Sequence, residues 1–221
     1  MTTPLWLQPL ALTRDNQTWT YVLDSGHRFP VSITGLIGKV HKTESQISRI
    51  METRDIWEPR GTTVHLAAEN YINSRWNPAH KGQPIWTPTG EEFTPYLDWI
   101  NPLLAHGFWS RIEVVGSELM VYSTRKNVAG TLDFIFQFAD GSYGVGDFKT
   151  QSKKGASTYD TKPQLGAAVD MAMEHYGLTF SRCLTVWVRP GQVEIQTHEA
   201  DDCLSAWLST FDLYCQYHRP F

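Results

Sequence analysis

The segment GTLDFIFQFADGSYGVGDFKT, Gly130 to Thr150, places two aspartates and a lysine inside what reads as a β-hairpin. Asp133 falls in the first strand, and Asp147 and Lys149 fall in the second. Strands disfavour Asp, and charged groups are rarely buried unless paired or bound to a metal. The turn decides which of the three charges meet. A two-residue loop at Asp140-Gly141 sets Asp133 opposite Phe148 and sends Asp147 to the other side of the sheet. A three-residue loop, Ala139-Asp140-Gly141, sets Asp133 directly opposite Asp147. That loop is a type I turn followed by a left-handed residue, and Gly141 stands where the left-handed residue is needed. The three-residue loop is favoured, and it puts Asp133, Asp147 and Lys149 on one face.

Two carboxylates that close repel unless a cation or a proton sits between them. Mg²⁺ or Mn²⁺ suits oxygen ligands, needs few of them from the protein, and keeps waters for chemistry. Lys149 gives the site a direction. A structural metal gains nothing from a neighbouring cation. At a hydrolytic metal the ammonium orients or helps deprotonate an attacking water, or stabilises charge developing on a phosphate. The rival reading is a solvated Asp–Lys pair on a surface hairpin, the commoner fate of an isolated D-x-K. The surrounding apolar residues, Leu132, Phe134, Ile135, Phe136, Val145 and Phe148, weigh against it.

The elements that must hold these charges follow from periodicity and turn signals. TWTYVLD reads as a strand and SGHRFP as a turn. Ser32 or Thr34 caps a short helix, and ESQISRIME forms another. From Arg60, GTTVHLAAENYI reads as a helix with Val64, Ala67, Ala68 and Tyr71 on its apolar face. Residues 74–110, rich in Trp, Pro and Gly, read as loops with a helix near Glu91–Leu104. RIEVVGSELMVYS is a strand before the hairpin, and CLTVWV and QVEIQTH pair across Arg189-Pro190-Gly191. Pro163 to Tyr176 is a helix with Leu165, Val169, Ala172, Met173 and Tyr176 as its buried stripe and Gly177 ending it. A last helix carries Leu204, Trp207, Leu208 and Phe211 at core spacing. The late order β-β-β-α-β-β-α predicts an α/β fold with a central mixed sheet flanked by helices.

Length and composition agree with one domain over residues 1–221. Its parts are N-terminal strands and helices over 1–59, a catalytic core over 60–199 and a C-terminal helix over 200–221. Apolar residues make up 41% and charged ones 19%, an ordinary globular balance, so neither a disordered nor a membrane-embedded chain is indicated. The start, MTTPLWLQPLALTRDNQ, lacks a basic n-region and a long apolar stretch, so no signal peptide is expected. Cys183, Cys203 and Cys215 form no CxxC pattern, which predicts neither a disulfide framework nor a zinc or iron–sulfur site, and favours a reducing, cytoplasmic setting. The net charge of −4 argues against a broadly basic nucleic-acid coat but allows a local basic groove.

As an ordered set, RGTTVHLAAENYI, GTLD, DFKT and PQLGAA resemble the PD-(D/E)XK nuclease superfamily. Within it they resemble the RecB/Cas4-like exonuclease branch, which includes phage exonucleases and the mitochondrial genome-maintenance exonuclease. The resemblance spans about Arg60 to Tyr176, with a weaker echo in FPVSITGLIGKV. It implies a restriction-endonuclease-like core. It also implies that Asp133 and Asp147 bind the metal, that the Phe148 carbonyl completes the shell, that Lys149 is the catalytic lysine and that His65 is a further ligand. Gln164 would support the site or touch the DNA backbone. Each carry-over has a competitor. A lone His beside an apolar face is often structural. Thr161-x-x-Gln164 is a capping box in its own right. Glu69 falls on the face of His65, as a supporting partner or a solvated charge. Glu118, in SELMVYS, is a further candidate on the neighbouring strand.

Two departures stand out. The family's glutamine is usually followed four residues later by tyrosine, and here that position is Ala168; Tyr159 is the candidate substitute. The four cysteines that hold an iron–sulfur cluster in related domains have no counterpart, so no cluster is expected. For substrate, Lys153 and Lys154, with Lys162, can hold phosphates near the metal, and Arg125 and Lys126 add a basic tip. Among the nine tryptophans, Trp57, Trp76, Trp86, Trp99 and Trp109 are stacking candidates, although most tryptophans belong to cores. No sequence-reading DNA motif is visible. The expectation is a Mg²⁺- or Mn²⁺-dependent deoxyribonuclease acting from ends and favouring single strands. The resemblance places it in replication, recombination or repair, alongside proteins of those processes. Two alternatives stay open: a structure-specific or restriction-type endonuclease on the same core, and a DNA-binding or assembly module without cleavage.

Overall fold

The computed structural model describes residues 5–15 and 18–218. The hairpin joins strands β5 (Val128–Phe138) and β6 (Tyr143–Thr150). Its turn has the three-residue form: the Phe138 N–H donates to the Ser142 carbonyl at 2.9 Å and the Gly141 N–H to the Phe138 carbonyl at 3.0 Å. Gly141 has φ +87°, which a side-chain-bearing residue rarely adopts. The resulting register, Gln137 with Tyr143 through Phe134 with Gly146, is the one that aligns Asp133 with Asp147.

Strand β5 is the hub of a six-stranded mixed sheet. The antiparallel strand β4 (Ile112–Ser123) covers one edge from end to end. The other edge is shared: the short parallel strand β3 (Val31–Ser32) takes Val128 and Ala129, and β6 takes Phe134 to Gln137. Past Gly146, β6 leaves β5 and continues only beside the parallel strand β7 (Phe180–Arg189), pairing Asp147 with Thr185 through Thr150 with Val188. The sheet therefore forks, and the charged residues sit at the fork. Strand β8 (Gln192–Glu199) closes the far side, antiparallel to β7. A separate two-stranded ribbon, β1 (Leu12–Asp15) with β2 (Thr20–Leu23), packs Leu12 and Tyr21 around Phe29 and Ala129.

Helices cover both faces, as the pattern of elements predicts. On one face lie α1 (Ile33–His41), α5 (Lys162–Tyr176) and α6 (Ala200–His218), whose Leu36, Leu165, Val169 and Trp207 pack against Ile135, Val145 and Cys183. Ser32 starts α1, its hydroxyl accepting from the Gly35 N–H. On the other face lie α3 (Arg54–Trp76) and α4 (Leu97–Leu104), whose Val64, Ala68, Ile72 and Ile100 pack with Trp109 against Phe134, Phe136, Phe148 and Val186. Between α1 and α3 the helix α2 (Glu44–Glu52) has no buried residue and is held by a Thr43–Gln46 capping box.

Three details differ from the sequence reading. Helix α3 begins at Arg54, six residues before the predicted start, and an Arg54–Glu58 ion pair at 2.8 Å joins its first turns. Met173 is 42% exposed and Leu208 41% exposed, so neither belongs to the core. Helix α5 is wedged between the sheet and α6, so its buried set, Leu165 to Val169 with Met171 and Ala172, nearly encircles it instead of forming a stripe. The helix α6 buries Cys203, Trp207, Thr210 and Tyr214. The three cysteines are free. No helix of the described residues is long and apolar enough to cross a membrane.

Candidate active site

At the fork, α5 contributes from one layer and α3 from the other. On the α5 side, Asp147 is 6% exposed and its Oδ1 accepts from Gln164 Nε2 at 2.6 Å. The Lys149 ammonium donates to Gln164 Oε1 at 2.8 Å and to Asp147 Oδ1 at 3.1 Å. Gln164 thus clamps the aspartate and the lysine together. The predicted capping box does not form: the Thr161 hydroxyl instead meets the Thr185 hydroxyl at 2.6 Å, and the Gln164 side chain is committed to the fork. Asp147 Oδ2 is buried without a hydrogen-bond partner. The Lys149 Nζ lies 2.8 Å away, at ion-pair distance but outside hydrogen-bonding geometry. Burial pushes the Asp147 carboxyl up to about 6 against the pull of Lys149. Burial is the largest single influence on the Lys149 ammonium and lowers it, but Asp147, Tyr159 and Asp133 together outweigh burial and the net shift is upward.

On the α3 side, Asp133 Oδ2 accepts from the Phe148 N–H at 2.6 Å, a donor freed because β6 has left β5. His65 projects from α3 with Nε2 3.2 Å from the Phe148 carbonyl and Nδ1 3.4 Å from Asp133 Oδ1. Its Nδ1 is also 3.9 Å from Glu118 Oε1. A carbonyl only accepts, so Nε2 carries the proton of that contact. Nδ1 then faces two carboxylate oxygens, an arrangement that calls for a proton or a shared cation between them. Burial is the largest single influence and lowers the imidazole, but Asp133 and Glu118 together outweigh it, and His65 lies well above its ordinary value. Asp133 is correspondingly lowered: burial is the largest single influence and raises it, but His65, Lys149 and the Phe148 N–H together outweigh burial.

His65, Glu118 and Asp133 each offer a ligand atom, all within 4.8 Å of one another, and can hold a metal ion. Carboxylates, an imidazole and an adjacent carbonyl make an oxygen-rich set of the kind that takes Mg²⁺ or Mn²⁺. Asp147 Oδ2, which accepts no hydrogen bond, fits a cation too, although Asp147 stands outside that tight trio, on the lysine side. Glu118, a peripheral candidate from sequence, is thus drawn into the cluster and the expected Asp133–Asp147 pair is split between two halves. The cause is local backbone. Glu118 has φ +48°, a left-handed conformation a glutamate seldom adopts, and β4 has a bulge between Val114 and Gly116. Gly116, a lone glycine in a strand pattern, is a sequence signal for the bulge, but none marks the left-handed Glu118. Glu69, also on α3, has a raised carboxyl because of burial and of the charge on Glu118, so it borders the cluster rather than standing free in solvent.

Left-handed backbone at a non-glycine residue costs about 1–2 kcal/mol and persists where function requires it. In metal-free protein, Glu118→Gly relieves the backbone and the crowding with Asp133 and Glu69 but gives up the contact with His65; the net gain of about 1 kcal/mol raises Tm by about 2–4 °C, while metal binding weakens. A fall in the metal-free Tm would mean that Glu118 is held for stability.

The other expected site residues are less central. Tyr159 is 58% exposed and rests edge-on against Trp187 at 5.0 Å, and burial raises its hydroxyl against the pull of the nearby Lys149 charge. Position 168, where the family tyrosine would stand, is a core alanine at 4% exposure. Lys153 and Lys154 lie exposed in the loop after β6, and the Lys154 ammonium lies beside Gly191 in the β7–β8 turn. The basic tip does not stand free. Arg125 pairs with Glu174 at 3.5 Å and Lys126 with Asp170 at 2.9 Å, tying the β4–β5 turn to α5. Of the five stacking candidates, Trp109 is buried and Trp57, Trp76, Trp86 and Trp99 are half-buried. They serve the core and loop packing first: Trp57 Nε1 donates to the Ile50 carbonyl and Trp99 Nε1 to the Gln151 carbonyl, each at 2.8 Å.

No family model matches the chain, and no curated protein matches it. Among solved structures, the crystal structure of SSO0001 is similar at 14% identity and a TM-score of 0.43, over 84% of this chain and 81% of that one. A likeness this distant assigns neither fold nor function.

Proposed function

We propose that the protein is a metal-dependent deoxyribonuclease on a restriction-endonuclease-like core, as the resemblance to the RecB/Cas4-like exonucleases implies. One observation carries the reading: an ammonium, an imidazole and three carboxylates converge at the strand fork, with a buried carboxylate oxygen of Asp147 left without a hydrogen-bond partner. For the fold alone, gathering these charges at low exposure, with one buried oxygen lacking a hydrogen bond, carries a desolvation cost that the Lys149 and His65 pairs only partly offset.

His65, Glu118 and Asp133, with Asp147 and the Phe148 carbonyl beside them, would hold a Mg²⁺ or Mn²⁺ ion. When bound, the ion supplies Lewis acidity toward a phosphodiester oxygen and makes a water more acidic. The rest is done by the chain. Lys149 has three N–H donors, and its hydrogen bonds to Gln164 and Asp147 leave one for a phosphate oxygen or the attacking water. Gln164 fixes the lysine so that this donor stays aimed as charge builds on the phosphate. Thr161, bonded to Thr185, anchors the start of α5 and so places Gln164. Tyr159, at the rim near Lys149, is positioned to meet the substrate strand, the part the family tyrosine would otherwise play.

The resemblance favours digestion from DNA ends, single strands first, in replication, recombination or repair. The test uses end-labelled single-stranded DNA, a blunt duplex and a closed single-stranded circle, each with Mn²⁺, Mg²⁺ or EDTA. Metal-dependent loss of the linear strands with circles spared is expected. Cleaved circles would replace the exonuclease with an endonuclease on the same site. Survival of every substrate in both metals would leave the fork without a nucleolytic role.

A further inference from the structure

Among the described residues two arginines are nearly inaccessible, and they differ in what surrounds them. Arg189, 2% exposed, has a partner for each of its three nitrogens: it donates to Gln151 Oε1 at 2.6 Å, Glu194 Oε2 at 2.7 Å and the Ala156 carbonyl at 3.0 Å. Arg60, 8% exposed, has one long hydrogen bond, Nε to the Thr150 hydroxyl at 3.5 Å, and lies over the Trp99 ring at 5.8 Å. No carboxylate pairs with it among the described residues, and its two terminal nitrogens, without partners, open to solvent. A guanidinium remains charged at any working pH. The stem is buried and the planar fork is left without a carboxylate partner. The same fork, fixed by a hydroxyl and an aromatic face, is preorganised for an anion with two oxygens to offer.

Its place in the fold says which anion. Helix α3 runs back along β6: a Cβ on Gly61 would lie 3.8 Å from the Thr150 hydroxyl, and His65 meets the Phe148 carbonyl. Thr150 follows Lys149 directly, and it lies about 7 Å along the strand from Phe148. Arg60 is therefore set one short step from the metal cluster, on the way to the exposed Lys153 and Lys154. We propose that Arg60, anchored on Thr150 and Trp99, binds one backbone phosphate of the nucleic-acid strand, adjacent to the phosphate that enters the metal site. This rests on the nuclease reading above. Arg60 neutralises the phosphate and sets the register of the strand, and does not itself take part in the chemistry.

The test measures binding of fluorescein-labelled twelve-nucleotide thymidine strands to the full chain by anisotropy, in EDTA so that nothing is cut. A single linkage at a time is replaced by an uncharged methylphosphonate. The wild type is expected to lose about tenfold in affinity at one linkage, the scale of one charge-assisted phosphate contact. Arg60→Gln should bind the unmodified strand about tenfold more weakly, be indifferent at that same linkage, and show a log–log salt slope shallower by about 0.7. Arg60→Lys should recover part of the affinity. Thr150→Val, which removes the anchor and keeps the charge, should weaken binding at that linkage about threefold, a partial loss of one such contact, and serves if Arg60→Gln does not fold. A purely structural arginine would move the melting temperature and leave the linkage profile as in the wild type. That profile in a folded Arg60→Gln or Thr150→Val would overturn the phosphate site while leaving the nuclease reading intact. A wild type that binds none of the strands would overturn both.

Discussion

Lys149→Ala is expected to lower metal-dependent DNA degradation by at least about 10²–10³-fold, the range for deleting one preorganised donor to a developing oxyanion. It should leave Mn²⁺ binding within a few-fold of the wild type. The two readouts separate because Lys149 touches Asp147 and Gln164, while the His65–Glu118–Asp133 trio lies on the other side of the fork. Lys149→Arg should rescue little. A guanidinium presents a flat fork instead of a compact ammonium, and the pocket between Asp147 Oδ2 and Gln164 Oε1 is 2.8 Å from the lysine nitrogen on each side. Single-turnover degradation and Mn²⁺ calorimetry on the same preparations decide it. Activity surviving in Lys149→Ala would remove the lysine from the chemistry.

Gly166→Ala is expected to be the most damaging conservative change in the fold. A Cβ at Gly166 would overlap the backbone carbonyl of Cys203 and lie 2.9 Å from the Leu204 nitrogen, where α5 crosses α6. Those are backbone atoms, so no side-chain rotation relieves the clash, and the two helices must move apart. The expected loss is about 3 kcal/mol, at the upper end for overpacking, which lowers Tm by about 6–12 °C for a chain of this size. Activity should fall further than stability alone accounts for, because Gln164 lies two residues earlier on α5 and its hydrogen bonds hold Asp147 and Lys149. Thermal melts with cleavage rates measured well below Tm test both halves. A melting temperature within a degree or two of the wild type would mean that the α5–α6 contact yields easily.

What could be read from the sequence was what local chemistry decides. Gly141 after Ala139-Asp140 specified the turn, and the turn specified the register that aligns Asp133 with Asp147. The spacing of Val64, Ala67, Ala68 and Tyr71 put His65 at the margin of a buried helix face. What escaped was set by parting strands and by packing between distant elements. The fork after Gly146 depends on β6 preferring β7, so a hairpin read alone keeps both aspartates in one tight pair. Glu118 joins the cluster through a left-handed backbone that a glutamate does not announce. Arg60 reads as an ordinary helix-start residue until Thr150 and Trp99 enclose it. Met173 looked like core because the stripe on α5 was drawn for one packing partner, and the helix has two.

That the fork between β5 and β6 is a metal centre is tested most directly by titrating Mn²⁺ into the full chain, wild type beside Asp133→Asn and Asp147→Asn, by calorimetry. Saturable binding to the wild type is expected, weakened at least about tenfold in each variant, the low end of what the loss of even an outer-shell partner costs. Equal binding by all three proteins, or none by the wild type, would contradict it.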